Sequence, residues 1–167
     1  MNIERLYLME LSKTLSRHFF NLYFSDNWTE VNIKDLISDL SFEEAQHQVS
    51  NLNTIATLVF HINYYADKIG DFLETGELKA KDADSFKGGK ITSEAEWETL
   101  KEKIERDGKR FSQLIAKVDS ETLSQDFYDE KYGSYLTNLL GILEHFYYHM
   151  GQIRLIKKLI RNSSYTK

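Results

Sequence analysis

Glu144-His145-Phe146-Tyr147-Tyr148-His149-Met150-Gly151-Gln152-Ile153 is the stretch whose reading decides the fold of this 167-residue chain. It lies inside a segment, from about Ser134 to Arg161, that has no proline and reads as one long helix. Two histidines four residues apart on a helix leave the same face one turn apart, with about 6 Å between their first side-chain carbons. That spacing suits one metal ion. Centred on His149, the face carries Tyr135, Asn138, Ile142, His145, Gln152, Ile153, Ile156 and Ile160, so both histidines are expected to look into a bundle interior. The opposite side is also apolar, with Leu136, Leu140, Leu143, Tyr147 and Met150. A second burial partner is therefore expected there, either another helix or a second copy of the chain.

Outward from this helix, the same period recurs. Leu8, Leu11, Leu15, Phe19 and Leu22 predict a first helix from Asn2 to about Phe24, and Ser25-Asp26-Asn27-Trp28 breaks it. Two short helical pieces follow: one capped by Asn32, from Ile33 to Leu40, and one opened by Ser41 with Glu44 three residues on. A second long helix is expected from about Asn53 to Glu74, ending near Gly76, with an apolar arc from Ile55 to Leu73. Ser93 and Glu96 read as a capping box for a third, which runs to Val118. Residues 77 to 92 form a long connection of the kind that carries function or a crossover in a bundle. With 8 glycines, no proline and 41% hydrophobic residues, the composition fits one all-α domain over residues 1–167: a four-helix bundle with short extra helices between the first two long ones.

The same numbers exclude several kinds of chemistry. Without cysteine there is no disulfide, thiolate ligand or cysteine nucleophile, so a metal site must be built from His, Asp, Glu or water. A net charge of -5, spread along the chain, disfavours nucleic acid as a partner. The N-terminal segment is charged every few residues, which fits neither a signal peptide nor a membrane span; a cytoplasmic location is expected.

His61, at the border of its apolar arc and beside Tyr65, is the best third ligand for a site begun by His145 and His149. The alternative is three partly buried histidines satisfied by separate hydrogen bonds. Phe146 stands where a zinc protease of the His-Glu-x-x-His type places its general base, so that activity is not expected. Glu144 points about 100° away from His145 and reads as a solvated carboxylate. His18 reads as a boundary residue and His47 carries little weight. Tyr65, Tyr135 and Gln152 are candidates to line a pocket or orient a ligand. Gly88-Gly89 lacks the Lys-Ser/Thr and the preceding strand of a phosphate loop.

A histidine within Thr54-Ile55-Ala56-Thr57-Leu58-Val59-Phe60-His61-Ile62, combined with the Glu144 to Ile153 stretch, resembles the DinB/YfiT-like superfamily of metalloenzymes, in particular a small bacterial branch of it. Asn27-Trp28 and Asp129-Glu130-Lys131-Tyr132-Gly133 extend the resemblance over nearly the whole chain. It implies an up-down-down-up bundle, a divalent ion (zinc or nickel) on His61, His145 and His149, and a homodimer. It further implies a small-molecule substrate, a low-molecular-weight thiol among the candidates, and thiol S-transferase or hydrolase chemistry, with an open metal position serving water or a thiolate. The competing expectation is a non-catalytic helical ligand-binding or interaction protein whose metal site is structural or vestigial.

Overall fold

The computed structural model describes the backbone of residues 3–163 and the side chains of residues 11–162. Among them are six helices: α1 (Ile3–Phe24), α2 (Ile33–Ser38), α3 (Phe42–Gln46), α4 (Ile55–Thr75), α5 (Glu94–Ile115) and α6 (Tyr135–Ser163). Single 3₁₀ turns at Asp82–Asp84, Thr122–Ser124 and Glu130–Tyr132 punctuate the connections. The described residues contain no strand; one isolated bridge, Asp126 to Ser134, folds the stretch before α6 back on itself. The chain is all-α. Leu8, expected on the inner stripe of α1, lies outside the described side chains.

Local chemistry sets the helix ends. Asn32 accepts from the Asp35 amide at 2.9 Å, and Ser41 and Glu44 complete a reciprocal capping box. Thr54 caps α4, and Gly76 closes it in the left-handed region at φ 74°. At α5 the capping box is only half formed. Ser93 accepts from the Glu96 amide, but the Glu96 carboxylate reaches one residue further back, to the amide and hydroxyl of Thr92.

Side-chain pairings give the directions of the long helices. Ser12, midway along α1, bonds the Val118 carbonyl just past the end of α5 and Ser16 bonds the Ser112 carbonyl, so α1 and the α5 segment run antiparallel. Asn63 meets Asp107 while Asp71 meets Arg110, so α4 and α5 run parallel. Phe72 stacks near Tyr135 while His61 meets His145, so α4 and α6 are antiparallel. The parallel pair is what makes residues 76–93 long: the chain must return the full length of α4 before α5 begins.

The core is closed by aromatic contacts. Phe19 meets Phe111 edge-on at 5.0 Å, and Tyr23 meets Phe146 at 5.5 Å. Each such fully buried ring contributes about 2–3 kcal/mol by area removed from water. Gly108 makes room for Tyr23, since a methyl there would sit 2.4 Å from its ring; the helix-weakening residue of α5 is a packing notch.

One expectation is corrected. The inner stripe of α6 is Leu139, Phe146, Met150, Ile153, Ile156 and Ile160, all buried. Met150, expected on the outer side, is 3% exposed. The stripe is rotated because α6 is apolar on two sides; contact with Tyr23 of α1 decides which one turns in. His149 is buried at the border of that stripe, and His145 is half-buried at its edge.

Candidate metal centre

The antiparallel crossing of α4 and α6 brings His61 against the α6 pair. Ring centroids lie 4.8 Å apart for His61–His145, 4.8 Å for His61–His149 and 4.5 Å for His145–His149, each pair close to edge-on. One ring nitrogen from each histidine falls within 4.8 Å of the others. The His61 and His145 Nε2 atoms are 3.0 Å apart. Ligand atoms sharing one ion at about 2.0–2.1 Å stand about 3.0–3.4 Å apart, so this pair already has the separation of neighbouring ligands. The three residues therefore fit a divalent cation, and a set of three imidazoles suits zinc, nickel, copper or iron in preference to calcium or magnesium.

The electrostatics agree with that geometry. Burial, reinforced by the neighbouring imidazoles, holds His61 down to about 4, and burial together with His149 holds His145 down to about 4. Burial also lowers His149, opposed by its hydrogen bond to Gln152. All three are thus neutral near pH 7 and present lone pairs. His149 Nδ1 donates to Gln152 Oε1 at 2.7 Å, which fixes the tautomer and leaves Nε2 free as a ligand. His61 Nδ1 is buried without a formed hydrogen bond, with the Ser85 main chain as the group that partly offsets the loss of water.

The long α4–α5 connection builds the wall over the cluster. Phe86 stacks on His61 with ring centroids 3.7 Å apart and planes 14° from parallel. Gly89, at φ 84°, lets the loop lie on α4: a side chain there would meet Thr57 Cα at 2.6 Å. Tyr65 stands edge-on to both His61 and His145, and its hydroxyl donates to Asp82 Oδ1 at 3.1 Å.

Beside His145 opens a pocket of about 400 Å³. Ile69, Leu78, Phe127 and Ile142 supply apolar wall; Tyr65, Asp82, Tyr132 and Asn138 supply polar atoms. The structure gathers His61, His145, His149, Tyr65 and Gln152 in one place. Tyr135 is elsewhere: it packs on Phe72 and Phe127, and the latter rather than Tyr135 lines the pocket. His18 and His47 are exposed and apart, and Glu144 is exposed. Phe86 and Asp82 were missed as site residues; the length of their loop was the one available signal.

Fold and site together define an all-helical protein with a three-histidine group that can hold a metal ion. No described helix is long and apolar enough to cross a membrane. Compared with known protein families, curated proteins and solved structures, the chain matches none.

Proposed function

We propose that the chain is a metal-dependent enzyme of DinB/YfiT-like type, a thiol S-transferase or a hydrolase acting on a small molecule, working as a homodimer. The observation that carries this reading is the convergence of His61, His145 and His149, one of which, His145, also lines an open pocket. A structural metal clip needs no pocket, whereas a catalytic ion needs a place for substrate. The helix directions, with α4 and α5 parallel and α1 and α6 opposed to them, support an up-down-down-up bundle.

His61, His145 and His149 would hold the ion, zinc or nickel, which when bound supplies Lewis acidity at that end of the pocket. The chain's own residues do the rest. Gln152 holds the proton of His149 on Nδ1, Phe86 shields one face of His61 from water, and Tyr65 places the Asp82 carboxylate on the pocket wall.

The test is elemental analysis of protein purified without chelator. About one divalent ion per chain is expected, falling to background in the His145→Ala, His149→Ala double variant, with turnover of thiol-acceptor or ester substrates lost in parallel. Metal-free, folded wild-type protein would reject the reading.

A further inference from the structure

We propose that the pocket beside His145 selects a molecule with an apolar body and a cationic amine at one end, with Asp82 as the counter-charge. The inference takes the histidine cluster as the reactive end of that pocket and goes on to name the class of molecule it admits.

The first argument is charge. Among the twelve residues that line the pocket, Asp82 is the only acid and there is no lysine or arginine. An anionic substrate, a carboxylate or phosphate, finds no fixed side-chain cation in the lining. Cations on the surrounding loops are engaged elsewhere or lie outside it. Lys79 pairs with Glu77 at 2.8 Å and Lys87 with Asp84 at 2.5 Å. Lys131 sits over the Tyr132 ring, 4.0 Å from Asp129, and the Lys81 side chain is exposed and not part of the lining.

Hydrogen bonding gives the second, independent argument. Among the pocket's polar side chains the donors of Tyr65 and Asn138 are spent, the Tyr132 hydroxyl keeps its own, and acceptors are left over. Tyr65 commits its hydroxyl hydrogen to Asp82. Asn138 gives its amide nitrogen to the carbonyls of Tyr132 at 2.7 Å and Ser134 at 2.9 Å, which leaves its Oδ1 as an acceptor. Thr137 is engaged with Ser134. A ligand that donates several hydrogen bonds and carries positive charge, such as an ammonium group, matches that remainder. Phe127 and the aliphatic wall receive its apolar body, and about 400 Å³ is within the usual range for a small-molecule site.

Three probes on one skeleton test this: 3-phenylpropylammonium, 3-phenylpropionamide and 3-phenylpropionate, titrated by calorimetry into the full chain, zinc-loaded and chelator-stripped. The stripped protein removes direct coordination by amine or carboxylate from the comparison. There the ammonium is expected to bind about fivefold more tightly than the amide, the effect of a partly exposed ion pair, and the carboxylate most weakly. Asp82→Asn and Asp82→Ala should both abolish the preference; Asp82 is exposed, so neither removes core packing. The proposal is overturned by a carboxylate that binds as well as the ammonium, by a preference that survives in both variants, or by no binding of any probe at millimolar concentration. Absence of stoichiometric metal would reject the enzymatic reading and leave the charge preference of stripped protein standing. Equal binding of the probes would do the reverse.

Discussion

At the scale of single residues, the site depends on which nitrogen of each histidine carries hydrogen. The 2.7 Å bond from His149 Nδ1 to Gln152 Oε1 settles this for one ligand, and it comes from the same helix face one turn away. Gln152→Leu keeps the half-buried volume but removes the acceptor. Zinc affinity, measured by competition with a chromophoric chelator, is expected to fall about 10-fold to 100-fold with helicity unchanged. Unchanged affinity would make that bond incidental. The cluster itself is legible in the sequence because helical angle and border position are periodic properties: His145 with His149 from their spacing, His61 from its place beside the α4 arc. Angle alone misleads for Tyr135, which shares a face with His145 but lies ten residues away, about 15 Å along the axis. Asp82 and Phe86 sit in a loop with no period to read. Their positions follow from Gly89 lying flat on α4, a contact that exists only once α4 and the loop are folded together.

At the scale of elements, caps and turns were readable because they act over three or four residues. Asn32, the Ser41 box and Gly76 do what their types predict. What could not be read was how α6 ties down the short α2 and α3, since those partners are more than a hundred residues away. Asp39, between them, receives Lys157 and also Arg161 at 2.8 Å, while Arg161 reaches Glu44 at 2.8 Å. These bonds from α6, the one from Lys157 first, hold the Asp39 carboxyl at about 2, below its ordinary 3.8. A carboxyl lowered on folding adds stability that is fully present above about pH 4 and is lost as pH falls toward 2. Because Asp39 is more than half exposed, the contribution is about 1 kcal/mol or less. Asp39→Asn should therefore lower the urea midpoint modestly at pH 7, with the difference from wild type closing near pH 2. A constant difference across that range would show that charge at Asp39 is not the cause.

At the scale of the molecule, the two-sided apolarity of α6 was legible, but its resolution was not. Sequence periodicity describes faces of one helix and cannot say which face meets α1; Phe146 and Met150 won, buried against the core. The losing side keeps Leu143 and Tyr147 half-buried and Leu140 40% exposed, and these two half-buried residues share with His18 and Trp28 a groove of about 820 Å³. Trp28 is 97% exposed, an unusual fate for a tryptophan on a monomer. In the proposed homodimer this face would form the interface, which for a stable pair needs about 800 Å² from each chain with aromatic residues near its centre. Trp28→Ser with Leu140→Glu tests the assignment without touching the core, since neither side chain belongs to the buried cluster. Sedimentation of wild type at micromolar concentration should give the mass of two chains, and the double variant the mass of one, with metal content and helicity unchanged. A monomeric wild type rejects the dimer, whereas a variant that stays dimeric moves the interface off this face. Metal retained by the monomeric variant follows from the geometry, because His61, His145 and His149 come from α4 and α6 of a single chain and need no residue from a neighbour.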